Sequence, residues 1–124
     1  MMTRLSPQPL VLDRVRSIPR SFSWIDRAIL TANFLPYLTK DETALYFFLV
    51  TAANKDGLSF YGFPRIGHAL GLTHEQIHHA IAGLARLDLI AFRFPFFQVL
   101  SLPPRPPITP ETIARLVRRK EEFA

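Results

Sequence analysis

The sequence predicts a mainly α-helical domain with a small antiparallel β-hairpin, that is, an α+β fold. Apolar residues recur at helical spacing on both sides of Gly71, which predicts one helix at 64–70 and a second at 73–88. Two short apolar runs follow at 89–93 and 97–102, separated by a short, stiff turn. The order of helix, turn, helix and hairpin therefore determines the expected fold class.

Length and composition indicate one intracellular domain. The chain has 124 residues, 48% of them hydrophobic, which is enough for one core but hardly for two. No apolar run approaches the roughly 18 residues that span a bilayer, and the apolar segment near the N-terminus is too short for a secretory signal. The absence of cysteine excludes disulfides and thiolate metal sites. We expect a cytoplasmic protein without a membrane partner.

Positive charge is concentrated in the two ends of the chain. The formal net charge of +5 indicates a polyanionic partner. Residues 1–35 hold five arginines against two aspartates, and residues 103–124 hold five basic residues against three glutamates. Residues 36–102 are neutral, with five bases and five acids. The charge thus favours nucleic-acid contact by the ends more than by the centre.

Four segments follow from the distribution of proline, charge and apolar periodicity. Residues 1–20 hold scattered prolines and arginines with little periodicity, which predicts a flexible basic arm. The folded domain is expected at 21–102. Prolines dominate 103–109, which is typical of an extended spacer, and 110–124 is expected to form a basic helix capped by Thr109.

The first half of the folded domain is expected to supply its central helix. Residues 21–31 predict a short strand or entry helix laid on the core. Thr39 and Glu42 have the spacing of a capping box, and the helix they open is apolar nearly all round to about Asn54, so it should lie in the middle of the domain. An Asp-Gly turn follows, and then a short strand at 58–61 that is expected to pair with the hairpin.

Local signals define the helix at 73–88 in more detail. Gly71 suits the left-handed position that ends the preceding helix, and Thr73 with Gln76 forms a second capping box. At about 100° per residue, one face of this helix is apolar and the opposite face is polar. The apolar face comprises Ile77, Ala80, Ile81, Leu84 and Leu87. The polar face comprises Glu75, His78, His79, Ala82 and Arg86. We expect the polar face to meet solvent or a ligand.

The region from about Ser23 to Leu102 resembles winged helix-turn-helix domains of bacterial transcription regulators and replication initiators. The fragments that carry the resemblance are 38–42, 59–61, 65–73 and 84–90. Within the last fragment, Asp88 stands where many members of the family have glycine. The resemblance implies a winged-helix fold, with double-stranded DNA bound by the second helix and the wing.

The residues expected to contact DNA lie on that second helix, on the helix before it and in the wing. They are His74, Glu75, His78, His79, Arg86, Arg65 and Arg93. Histidine and arginine donate hydrogen bonds to phosphates or base edges, and arginine can bind guanine through two of them. The leading hypothesis is a non-catalytic regulator of transcription or replication, and a merely solvated helix face is its alternative.

No motif indicates catalysis or a cofactor. The sequence lacks a nucleophile elbow, a glycine-rich phosphate loop and a credible pair of catalytic carboxylates. His74 and His78 are spaced like metal ligands on a helix, but no cysteine or well-placed third ligand completes a site. We therefore expect no metal, no cofactor and no small-molecule substrate.

The phenylalanine-rich hairpin supports an alternative function. Side chains alternate along a strand, so some of these phenylalanines must face outward. Either they form a protein interface, or the segment around Trp24 covers them within the chain. The interface candidates, which would serve a homodimer or a protein-binding adaptor, are Phe94, Phe96 and Phe97 in the hairpin and Ile113, Leu116 and Val117 on the last helix.

Overall fold

The structure of the protein is a computed structural model that describes residues 7–123. Its helices and strands, in chain order, are α1 (Ala28–Thr31), α2 (Lys40–Ala52), β1 (Leu58–Phe60), α3 (Phe63–Leu70), α4 (His74–Arg86), β2 (Ile90–Arg93), β3 (Phe96–Val99) and α5 (Pro110–Phe123). Within these residues the fold is α+β, as predicted, and the element order is compatible with a winged-helix-like arrangement. None of the described helices has the length and apolar character needed to cross a bilayer.

The three strands form one antiparallel sheet in the order β1-β3-β2. Ser59 of β1 and Phe92 of β2 both lie opposite Phe97 of β3, which occupies the middle of the sheet. The predicted pairing of the short strand with the hairpin is therefore confirmed. The turn between β2 and β3 is shorter than predicted, because Phe96 already belongs to β3.

The core lies between α2, α4 and the inner face of the sheet. It is built from side chains that the helical and strand periods place on facing surfaces. Its fully buried large residues are Phe34, Leu45, Leu49, Ile66, Ile77, Leu84, Leu87, Leu89 and Phe97. Because Ile77, Leu84 and Leu87 are among them, the predicted inward face of α4 is confirmed.

Helix α2 begins with the predicted capping box but is not buried on every side. The Thr39 side chain accepts a hydrogen bond from the Glu42 amide, and the Glu42 side chain accepts one from the Thr39 amide. Leu45 and Leu49 are fully buried, whereas Phe47 faces solvent. The helix therefore lies at the core, as predicted, but part of its apolar surface faces solvent, and it ends at Ala52 rather than near residue 54.

The segment before α1 runs along the outside of the protein. Residues 7–27 are exposed throughout, and a single-turn 3-10 helix at Leu12–Arg14 is their regular structure. Ser23 Oγ donates a hydrogen bond to the carbonyl of Thr51, at 2.9 Å, which ties the segment to the end of α2. The predicted entry helix is confirmed for the end of the segment 21–31, where α1 places Ile29 in the core. Residues 21–27 are exposed and form neither helix nor strand. Residues 1–6 of the predicted arm lie outside the described residues.

Helix α5 is docked on the body of the protein. Thr109 caps it as predicted, and the buried Thr112 side chain accepts a hydrogen bond from the Thr109 amide in return. Arg115 reaches across to Glu42 at the start of α2. The segment 103–109 has no regular structure, in keeping with the predicted spacer. The ion pair therefore fixes the position of α5 against the start of α2, in addition to the covalent link through the spacer.

Candidate nucleic-acid interface

The turn between α3 and α4 is built from the residues that predicted it. Pro64 lies in the first turn of α3, and Gly71 ends that helix with φ of 70°, a left-handed conformation that costs glycine little. Thr73 and Gln76 then form the predicted capping box, with hydrogen bonds of 2.8 and 3.1 Å. The start of α4 is therefore rigidly placed relative to α3.

The outer face of α4 is open. Glu75, His78 and His79 are exposed, as the 100° periodicity predicted, and the DNA-contact candidate His74 is exposed beside them. No element of the described chain lies over these four side chains, so they can reach a ligand. This face carries three imidazoles and one carboxylate. The imidazoles can donate or accept hydrogen bonds, and the carboxylate accepts them.

Phe63 fixes the position of two of these imidazoles. Its ring meets the His78 ring edge to face at 4.7 Å and the His74 ring edge to face at 5.8 Å. This contact could not be predicted from the sequence, because Phe63 precedes the predicted helix by one residue. The contact limits the rotamers of both histidines and so pre-orients the exposed face.

Arg86, at the last turn of α4, is paired with a residue of α5. Its Nε lies 2.7 Å from Oε2 of Glu111, and both side chains remain about half exposed. An exposed pair of this kind is worth at most about 1 kcal/mol, so a phosphate could displace the carboxylate. Arg86 therefore differs from the histidines of α4, because its charge is already paired with the carboxylate of Glu111.

The other two predicted cations flank α4 on separate elements. Arg65 lies on α3 and is exposed, with its guanidinium 5.4 Å from the centre of the Tyr61 ring. Arg93 lies at the end of β2, exposed, opposite Phe96. These arginines are therefore presented from the helix before α4 and from the hairpin after it.

The histidines of this region do not form a metal centre with their neighbours. Among residues 7–123, no group of three or more His, Asp or Glu side chains is arranged to hold a metal ion. His74 and His78 both turn towards the ring of Phe63, which is not a metal ligand.

The hairpin phenylalanines divide between the two faces of the sheet. Phe94 and Phe96 are exposed, and they stay uncovered by the segment around Trp24, which lies along the ends of α2 and β3. Phe97 is fully buried and its ring packs on Phe92, with 4.6 Å between centroids. The prediction that Phe97 belongs to an exposed interface is therefore wrong. Side chains alternate along β3, so Phe97 lies on the inner face of the sheet and Phe96 on the outer face.

A third exposed aromatic side chain joins Phe94 and Phe96. Phe60 of β1 lies directly opposite Phe96, with ring centroids 5.9 Å apart, and is itself exposed. Sequence reasoning missed it, although the predicted pairing of the 58–61 strand with the hairpin contained the necessary signal.

The apolar residues of α5 are also divided. Leu116 is half-buried, whereas Ile113 and Val117 are about half exposed. The exposed two remain candidates for an interface, one helical turn apart.

Comparison of the chain with protein-family models, with curated proteins and with solved structures finds no match. The functional argument therefore depends on the geometry of these surfaces.

Proposed function

We propose that this is a non-catalytic DNA-binding protein, a bacterial-type regulator of transcription or replication that acts in the cytoplasm. In this proposal α4 enters the major groove of double-stranded DNA. The observation that carries it is the open polar face of α4, rigidly set by the Gly71 turn and the Thr73 cap. A helix presented in this way has the width that the major groove admits.

The side chains on that face suit base edges. His74, His78 and His79 can donate to acceptors of guanine or adenine or to phosphates, and Glu75 can accept from the amino group of cytosine. Phe63 restricts two of the histidines, which lowers the entropy lost when they bind.

Arginines beside α4 would supply contacts with phosphates. Arg65 precedes the helix and Arg93 follows it, and phosphate contacts on either side fix the orientation of a groove-bound helix. More basic side chains are exposed in the described part of the arm and on α5. They are Arg14, Arg16, Arg20, Arg27, Arg118, Arg119 and Lys120. Contacts of this type make binding strongly dependent on salt.

Selection of sites from a random duplex pool, followed by fluorescence anisotropy on the selected duplex, tests the proposal. We expect the double variant H78A/H79A to lose about tenfold or more in affinity for the selected site, while binding of random duplex changes little. His68→Ala is the matched control, because it removes an exposed histidine of α3 that lies outside the predicted face. Failure to enrich any sequence, or an equal loss in the His68 variant, would contradict groove reading by α4.

A second candidate function is a protein-binding adaptor or homodimer. The exposure of Phe94 in the hairpin and of Ile113 and Val117 on α5 favours it, since exposed apolar groups of this size are typical of interfaces. Sedimentation of the full chain over a range of concentrations measures self-association. If a dimer forms, whichever of the variants F94S and I113S/V117S dissociates it identifies the interface. A protein that stays monomeric at every concentration would exclude the homodimer.

A further inference from the structure

The outer face of the sheet is a second surface, distinct from α4, and it carries two aromatic side chains and a basic one. Alternation along the strands sends one residue in two to this face. The outward residues are Leu58 and Phe60 of β1, Ala91 and Arg93 of β2, and Phe96 and Gln98 of β3, all of them exposed. No carboxylate is among them.

One row across the sheet brings together two rings and a guanidinium. Phe60 pairs with Phe96 across the first pair of strands, and Phe96 pairs with Arg93 across the second. The two rings are 66% and 52% exposed although they contact each other, with an interplanar angle of 56°. Two ring faces and a cation therefore stand side by side on an open surface.

A groove of about 720 Å³ continues this row towards α3. Phe60 and Phe96 form one side of it, and Tyr61 and Arg65 form another. The Arg65 guanidinium stacks over the Tyr61 ring at 5.4 Å. The lining contains no Asp or Glu. The surface thus offers positive charge at two separate points, with aromatic rings between them.

We propose that this face binds single-stranded DNA, with unpaired bases stacked on Phe60 and Phe96 and phosphates held by Arg93 and Arg65. Stacking on aromatic side chains and backbone contacts by basic groups are the two components of single-strand binding. Bases inside a duplex cannot present their faces to such rings, so the ligand is unpaired. The rings of Phe60 and Phe96 are open to solvent, so planar bases can stack on them, and the outward residues of the sheet include an arginine and no carboxylate, which suits a phosphate backbone.

This inference does not rest on the α4 proposal, because the residues that stack the bases, Phe60 and Phe96, lie on a different face from the α4 histidines. Arg65 and Arg93 serve both proposals, so the phenylalanine and histidine variants are the ones that separate them. A site for unpaired strands beside a duplex-binding helix would suit a protein that acts where DNA is opened. Either surface could bind its ligand without the other, and binding of duplex and of single-stranded oligonucleotides is therefore measured separately.

Fluorescence anisotropy with a labelled oligothymidylate of about ten nucleotides tests the proposal on the full chain. We expect F60S/F96S to lower the affinity about tenfold or more, since each lost stack weakens binding substantially. Phe47→Ser is the matched control: Phe47 is 67% exposed but lies on α2, away from the sheet. Arg93→Ala should weaken binding and lower the salt dependence by roughly one phosphate contact.

Three outcomes would overturn the proposal. One is absence of oligothymidylate binding by the wild-type protein. Another is a loss of affinity in F47S, or in H78A/H79A, as large as the loss in F60S/F96S. The third is a wild-type dimer that F60S/F96S dissociates without changing oligonucleotide affinity, which would make the face a protein interface. An oligouridylate of equal length tests RNA as the ligand. Clearly tighter binding of the oligouridylate than of the oligothymidylate would show that the ligand is RNA and not DNA.

Discussion

Arg115 of α5 and Glu42 of α2 form a two-pronged ion pair between segments far apart in the chain. Nη1 of Arg115 lies 2.6 Å from Oε1 of Glu42, and Nη2 lies 2.8 Å from Oε2. Nη1 also donates to the carbonyl of Tyr37, at 2.8 Å. The same Glu42 carboxylate accepts the Thr39 amide of the capping box. One side chain therefore both starts α2 and holds α5 against it.

Arg115→Ala is expected to destabilise the protein strongly. The Glu42 side chain is 3% exposed and that of Arg115 is 23% exposed, so the substitution leaves a buried carboxylate without its cation. Removing one partner of a buried pair costs about 3 kcal/mol. Urea denaturation measures the change. Arg118→Ala removes an exposed arginine from the same helix and should shift the free energy of unfolding by less than about 0.5 kcal/mol; equal effects of the two variants would argue against the pair.

Gly83→Ala is expected to destabilise the protein, although alanine favours helices by about 1 kcal/mol over glycine. A β-carbon at position 83 would overlap Oε2 of Glu42, so the carboxylate would have to leave its place beside Arg115. The loss of the pair should outweigh the gain in helix propensity. The measurement is a double-mutant cycle with Glu42→Ala. Gly83→Ala should destabilise the wild-type protein and stabilise the Glu42→Ala protein, and the same effect in both backgrounds would contradict the overlap.

Elements with local chemical signals could be predicted from the sequence, whereas contacts between distant segments could not. The Thr39 and Thr73 caps and the Gly71 turn are confirmed because each depends on neighbouring residues. Asp88 adopts φ of 63°, a left-handed conformation that glycine adopts freely and that aspartate and asparagine adopt more readily than other residues. Arg115 and Glu42 are 73 residues apart, so no local pattern predicts their ion pair. The capping box alone was a sufficient reason to find a glutamate at position 42.

The candidate site was predictable on α4 and less so in the hairpin. A helical period fixes which residues of α4 point outward, and His78 and His79 are exposed accordingly. In the hairpin both Phe96 and Phe97 are apolar, so the sequence does not decide which of the two faces inward. The helices α2 and α4 decide it by packing on one face of the sheet, the face that Phe97 shares with Ser59 and Phe92.

Ser59→Ala is expected to raise the free energy of unfolding by about 1 kcal/mol. Among residues 7–123, Ser59 Oγ is the buried side-chain oxygen that makes no hydrogen bond to the protein. Folding therefore removes a hydroxyl group from water without a protein partner to replace it. Chemical denaturation measures the change, and Ser101→Ala, at an exposed serine, is the control with no expected effect. A clear loss of stability in Ser59→Ala would show that the hydroxyl is hydrogen-bonded after all.

Tyr46 is expected to make the fold sensitive to alkaline solution. Burial raises the pKa of the Tyr46 hydroxyl above its usual value of about 10, and the nearby carboxylate of Asp26 raises it further. Because the folded protein holds this proton more tightly than the unfolded chain, the stability it contributes is complete below about pH 10. That contribution is lost as the pH rises through the pKa of the folded state.

Tyr46→Phe should therefore reduce the decline in stability above about pH 10, because phenylalanine keeps the ring but has no proton to lose. The measurement is the free energy of unfolding of both proteins between pH 8 and 11, and the difference between the two curves isolates Tyr46. Asp26→Asn should reduce the decline in part. Identical slopes for wild type and Tyr46→Phe would contradict the raised pKa.

Glu111→Gln is expected to raise the affinity for duplex DNA several-fold at low salt, if Arg86 contacts a phosphate. The carboxylate of Glu111 holds the Arg86 side chain at 2.7 Å and neutralises it, so a phosphate must displace this partner. Removing the negative charge frees Arg86, and the surface pair contributes too little to folding for stability to change by more than about 1 kcal/mol. The gain should shrink as added salt screens the charges.

The double variant Arg86→Ala/Glu111→Gln separates release of Arg86 from a general loss of negative charge. If the carboxylate acts through Arg86, the Glu111 substitution should have little effect once Arg86 is absent. Glu121→Gln makes the same change of charge near the other end of α5 and should leave the affinity close to that of the wild type. If Glu121→Gln strengthens binding as much as Glu111→Gln does, α5 acts only through its total charge, and Arg86 has no specific role in binding DNA.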